Sequence, residues 1–133
     1  MKIAVITDDG KTISQHFGRA SHYLVVTVEK NEIIDRELRD KLGHAQFQGE
    51  GHEHQEDSGG RHGYGSAAED RHARMAGAIA DCQVLICRGM GMGAYESMQA
   101  RGIRPVVTDI ASIEESVMTY LDGRLVNHVG YLH

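Results

Sequence analysis

Lys2-Ile3-Ala4-Val5-Ile6-Thr7 is a β-rich apolar run with polar ends, and it predicts a first strand. Asp8–His22 is polar and without a clear period, which predicts a long loop. Tyr23–Glu29 and Glu32–Leu38 predict two further strands joined across Lys30-Asn31, where asparagine tolerates the left-handed conformation of a tight hairpin. Later, Ser66-Ala67-Ala68-Glu69 reads as a capping box opening a helix over Ala67–Ala80, with Ala68, His72, Met75, Ala76 and Ile79 on one face. Gln83–Cys87 predicts a fourth strand. A glycine-rich loop leads from it to a helix at about Ala94–Arg101 that stops at Gly102. Pro105–Thr108 predicts a fifth strand, and Ser112-Ile113-Glu114-Glu115 a second capping box whose helix ends at Gly123. Arg124–His133 carries no clear pattern.

Three strands followed by α-β-α-β-α fix an α/β class. Strands two and three pair as a hairpin, and the later units demand parallel crossovers. A mixed five-stranded sheet in the order 3-2-1-4-5, with strand two antiparallel and helices on both faces, satisfies both conditions. Strands one and four then lie side by side with their carboxyl ends together, where open α/β sheets bind their ligands. The expectation is that the Asp8–His22 loop faces the loop Cys87-Arg88-Gly89-Met90-Gly91-Met92-Gly93.

Residues 40–65 break the pattern. They hold seven glycines, four histidines (His44, His52, His54, His62) and one large aliphatic residue, Leu42. Too little apolar surface is available to order such a stretch, so residues 1–133 read as one domain with a flexible insertion at about 40–65.

Composition narrows the function. A net charge of −5 argues against nucleic acid as a partner. The longest apolar runs are four or five residues, too short for a membrane span, and Asp8 and Asp9 interrupt Met1–Ile6 too early for a signal peptide. The expected location is the cytoplasm. Two cysteines, Cys82 and Cys87, cannot form a disulfide framework. If both sat on one strand they would be roughly 16 Å apart and on opposite faces, so they are not a chelating pair.

The Cys87–Gly93 loop follows an apolar strand and opens a helix, which suits an anion. Its thiol, guanidinium and thioethers go beyond what a phosphate needs and suggest a polyanion with soft metal or sulfur. Gly89–Ala94 also fits a relaxed dinucleotide fingerprint, with Asp109 downstream, but only 24 residues remain after Asp109 for further Rossmann units. A glycine turn required by geometry alone is the plainer alternative. In the facing loop, Ser14–Ala20 offers His16 as a neutral nitrogen and Arg19 as fixed charge beside Phe17 and Gly18. The plainer alternative there is a core Phe17 with a solvated His16. The histidines of the insertion, among Glu50, Glu53, Glu56 and Asp57, suit loose zinc, nickel or copper binding. Asp8 and Asp9 read as turn-forming carboxylates rather than a two-metal site, and His72 as a core histidine.

In this order, Met1–Gly10 with Asp8-Asp9-Gly10, Ser14–Ala20, Ala80-Asp81-Cys82 through Gly91, and Gly102-Ile103 with the final helix resemble the dinitrogenase iron–molybdenum cofactor biosynthesis family. The His-rich insertion is similar to that of one subgroup. The resemblance implies a ribonuclease-H-like fold without nuclease chemistry, in small proteins that bind or carry iron–sulfur or molybdenum-containing clusters. His16 matches the family's loop histidine and Gly89-Met90-Gly91 its glycine turn, whereas ligation by Cys87 is an inference from this sequence alone.

The resulting expectation is a non-enzymatic carrier or scaffold for an iron–sulfur or molybdenum–iron–sulfur cluster, exchanging it with donor and recipient proteins. His16, Phe17, Gly18, Arg19, Cys87, Arg88, Gly89, Met90 and Gly91 would form its site, with His16 and Cys87 as ligands. A homodimer would allow two Cys87 side chains to share one cluster. The alternatives are a nickel, zinc, copper or iron buffer or sensor acting through His44, His52, His54 and His62, and a nucleotide-binding module using Gly89–Ala94.

Overall fold

The computed structural model of the chain describes residues 1–41 and 64–132, with the side chains of 64–69 and 131 left aside. His44, His52, His54 and His62 therefore lie outside the described residues.

Five strands form one sheet in the order β3-β2-β1-β4-β5, with β1 at Lys2–Thr7, β2 at His22–Glu29, β3 at Glu32–Asp40, β4 at Val84–Cys87 and β5 at Arg104–Val107. β2 is antiparallel to both β1 and β3, and β4 is parallel to β1 and β5. The order and directions are those the sequence pattern demands. At the hairpin tip Lys30 and Asn31 both have positive φ, 54° and 63°. Two consecutive left-handed residues match the right-handed twist of the flanking strands.

Three helices cover the sheet: α1 at Tyr64–Gly77, α2 at Met92–Ala100 and α3 at Ile113–Leu121. Ala4 and Ile6 share a face with Tyr23, Val25 and Leu85 by register, and the Tyr23 hydroxyl donates to the Met75 carbonyl of α1 at 2.9 Å. α2 packs on α1 along this face and against β5. On the opposite face, Arg36 of β3 pairs with Glu114 of α3. β4, Val-Leu-Ile-Cys, is buried at every position because both of its faces are covered.

Several boundaries differ from expectation. α1 begins at Tyr64, so Ser66 falls inside its first turn rather than capping it. It also ends at Gly77, and Ile79 is buried in the turn that follows. The second capping box holds, with Ser112 Oγ accepting from the Glu115 N–H at 3.2 Å. Gly123, at φ 76°, ends that helix. The insertion is expected at about residues 40–65, and the chain is still tied to the sheet at its start. Asp40 pairs with His22 in the ladder, and the Lys41 N–H donates to the Ser21 carbonyl at 3.0 Å. Cys82 precedes β4 rather than sharing it with Cys87, and both thiols are buried.

The C-terminal tail, patternless in sequence, satisfies the free edge of β5. Asn127 Oδ1 accepts from the Val107 N–H at 2.9 Å and the His128 N–H donates to the Val107 carbonyl at 2.8 Å. No described helix is long and apolar enough to cross a membrane.

Candidate functional site

Because β1 and β4 are parallel neighbours, the loops leaving their carboxyl ends meet. The meeting is a hydrogen bond: the Phe17 N–H donates to the Gly89 carbonyl at 3.0 Å. Phe17 is buried in the core, while His16, Gly18 and Arg19 are exposed around it. The His16 carbonyl accepts from the N–H groups of Arg19 and Ala20, each at 3.1 Å, which curls the segment into a turn. Phe17 thus fills the core as the plainer reading had it, and by doing so seats His16 and Arg19 at the sheet's edge.

Asp8 and Asp9 build the rest of the loop. Asp9 Oδ1 accepts from the N–H groups of Lys11 and Thr12 at 2.9 and 2.8 Å. These bonds, the Thr12 one foremost, hold its carboxyl well below the usual range. Asp8 Oδ1 accepts from the Ser21 N–H at 2.9 Å and the Ser21 hydroxyl at 3.1 Å, and the backbone bond chiefly lowers its pKa. Asp9 is thus committed to a local turn, as expected, whereas Asp8 ties the start of the loop to its end at Ser21.

Across the crevice, Gly91 sits at φ −76°, ψ 156°, and the positive-φ glycines among the described residues are Gly10, Gly102 and Gly123. The Gly89–Gly93 turn therefore does not demand glycine for its dihedral angles. At Gly93 a Cβ would come into contact with His72 Cε1 at 3.4 Å. α2 begins after Gly91 with no described side chain capping its N-terminus, and the first-turn N–H groups of a helix have no partner within it. Arg88 is half-buried and Arg19 exposed. Among the described residues neither guanidinium enters an ion pair.

Cys87 and Met90 lie inside. Cys87 is fully buried, its Sγ 3.8 Å from Met90 Sδ and 3.8 Å from the Val106 carbonyl oxygen. Burial pushes its thiol up to about 12, against a small opposing contribution from the Gly89 N–H. That is the setting of an inert core thiol rather than of a metal-binding thiolate. Met92, by contrast, is exposed. Among the described residues no group of three or more His, Cys, Asp or Glu side chains is placed to hold a metal ion. His72 is half-buried, lining a hollow of about 660 Å³ between α1 and α2 with Asp70, Glu96 and Arg101, and not the sheet core.

One contributor escaped sequence reasoning. Lys41 is 2% exposed, its Nζ donates to the Phe17 carbonyl, and the ammonium stands 4.5 Å from the centre of the Phe17 ring. A lysine ending a charged edge strand gives no signal of burial.

The family model for the dinitrogenase iron-molybdenum cofactor matches residues 1–123. The chain belongs to this family. An uncharacterised protein of Methanocaldococcus jannaschii is 26% identical over 125 residues, covering 94% of this chain and 89% of that one. The apo form of the orange protein from Desulfovibrio gigas superposes with a TM-score of 0.64 at 21% identity, covering 96% of this chain and 92% of the other. A crystal structure of a second Methanocaldococcus jannaschii protein gives 0.60 at 16% identity, over 97% and 95% of the two chains. At these identities the two solved structures show a shared fold. Within this dinitrogenase cofactor family, the match spans both facing loops and stops before the tail that closes β5. Gly89–Ala94 does lie on a strand–turn–helix, but β4 is an inner strand of a mixed sheet rather than the opening of a Rossmann unit.

Proposed function

We propose that this protein is a non-enzymatic carrier or scaffold for an anionic metal–sulfur cluster, of iron–sulfur or molybdenum–iron–sulfur type, received from one protein and passed to another. The observation that carries the reading is the Phe17–Gly89 hydrogen bond. It unites two loops that carry an exposed histidine, an exposed and a half-buried arginine without ion-pair partners among the described residues, and an uncapped helix start. Such a surface attracts a polyanion through charge-assisted and backbone hydrogen bonds. His16 supplies the exposed ligand nitrogen, and Met92 a soft neighbour. Cys87 and Met90 enter as the core wall beneath the site. Few ligands suit a carrier, because cargo held by few covalent bonds can be released. Family membership supports the same chemistry.

Anaerobic reconstitution with iron and sulfide, or with a preformed cluster, tests the proposal. Charge-transfer absorption should develop with the wild type and weaken in His16→Ala. Equal uptake by His16→Ala removes His16 from the site, and no uptake by the wild type removes the function.

A further inference from the structure

Lys41 is the last described residue before the insertion, and it is buried. Its two anchors lie on the loop that carries His16 and Arg19: Nζ donates to the Phe17 carbonyl, and the backbone N–H to the Ser21 carbonyl at 3.0 Å. Removing an ammonium from water is costly unless a carboxylate pairs with it. Asp8 attracts it, but that carboxylate is bonded to Ser21, and Arg71 of α1 repels it. Among the described residues the ammonium thus has no directly bonded carboxylate: it meets the Phe17 carbonyl and ring, with Asp8 offsetting part of the charge from farther off. A methionine of similar reach would spare the desolvation but leave the Phe17 carbonyl without this donor, so packing alone does not explain a lysine here.

We propose that Lys41 is a positioning residue of the anion-binding surface and a buried positive charge behind it. It holds Phe17 from the carbonyl side while Gly89 holds it from the N–H side, so Lys41 acts on the second loop only through Phe17. The inference rests on the carrier reading of the preceding section and adds a determinant to it, one that favours ligands of higher negative charge.

The test is anaerobic equilibrium binding of tetrathiomolybdate, a dianion, and tetrathioperrhenate, a monoanion of the same shape. Wild type, Lys41→Met and Lys41→Arg are compared. A Coulomb contribution scales with ligand charge, so Lys41→Met should weaken the monoanion about fivefold and the dianion about 25-fold. Lys41→Arg keeps the charge and should stay within about threefold of the wild type. Should Lys41→Met not fold, Lys41→Gln keeps a donor for the Phe17 carbonyl without the charge and carries the same comparison. Equal losses for the two anions, or no loss, overturn the charge role while leaving the carrier reading standing. A wild type that binds neither anion overturns both, and that failure is told apart because it shows in the unaltered protein.

Discussion

The Phe17 N–H donates to the Gly89 carbonyl at 3.0 Å, so the loop after β1 and the turn after β4 are one hydrogen-bonded unit. Phe17 also fills the core at 2% exposure, which makes site geometry and core packing inseparable at this residue. Phe17→Ala should cost about 3–5 kcal/mol of stability, and Phe17→Leu about 1 kcal/mol. Urea denaturation measures both. Chemical shifts of the Gly89 and Met90 amides should move in the folded fraction of either variant.

Tyr23 ties the sheet to α1 through its hydroxyl on the Met75 carbonyl, in a fully buried setting. Tyr23→Phe leaves that carbonyl unpaired and should cost about 1–2 kcal/mol. Thermal unfolding should show the loss, with cluster uptake unaffected because the hydroxyl bonds to α1 rather than to either site loop.

Cys87 and Cys82 both have thiols pushed up to about 12, mainly by burial. An unfolded thiol titrates near about 8.5. A folded pKa above the unfolded one gives stability that is complete below about pH 8.5 and lost as pH rises toward 12. Lys41 works the other way. Burial lowers it to about 8, below the ordinary value of about 10.4, so its burial penalty is relieved as pH rises between the two. Wild-type stability should therefore fall between pH 9 and 11. Cys87→Ala should fall less steeply than the wild type, and Lys41→Met more steeply, in urea titrations across that range. Alkylation of Cys87 at pH 8 should run at least about a hundredfold slower than that of a free thiol. Rapid labelling would return Cys87 to the set of possible ligands.

The sheet was legible because turn chemistry bounds its strands and the order 3-2-1-4-5 satisfies both the hairpin and the parallel crossovers. Adjacency of the Ser14–Ala20 and Cys87–Gly93 loops followed from that order without any contact being known. Cys87 was not legible as a core residue. Val84-Leu85-Ile86-Cys87 is buried on both faces, so alternation carries no sign of which way its last residue turns. Lys41 was missed because its burial depends on Phe17 and Ser21, far away in sequence. The tail was patternless for a related reason: Asn127 closes β5 with a side-chain amide that also donates to Tyr95 at 3.2 Å, and such a link has no period.

Deletion tests whether the His-rich segment is separable from the carrier site. Removing residues 43–63 should abolish nickel and zinc retention, measured by metal analysis after dialysis, and leave cluster uptake unchanged. Loss of uptake with retained fold would instead make the segment part of the cargo site.

The most direct test of the carrier reading is amide chemical-shift mapping during titration with tetrathiomolybdate under anaerobic conditions. The account predicts saturable shifts at His16–Arg19 and Arg88–Gly93, abolished in an Arg19→Gln, Arg88→Gln double variant that remains folded. Shifts confined to the hollow between α1 and α2, or saturable binding that survives loss of both arginines, would contradict it.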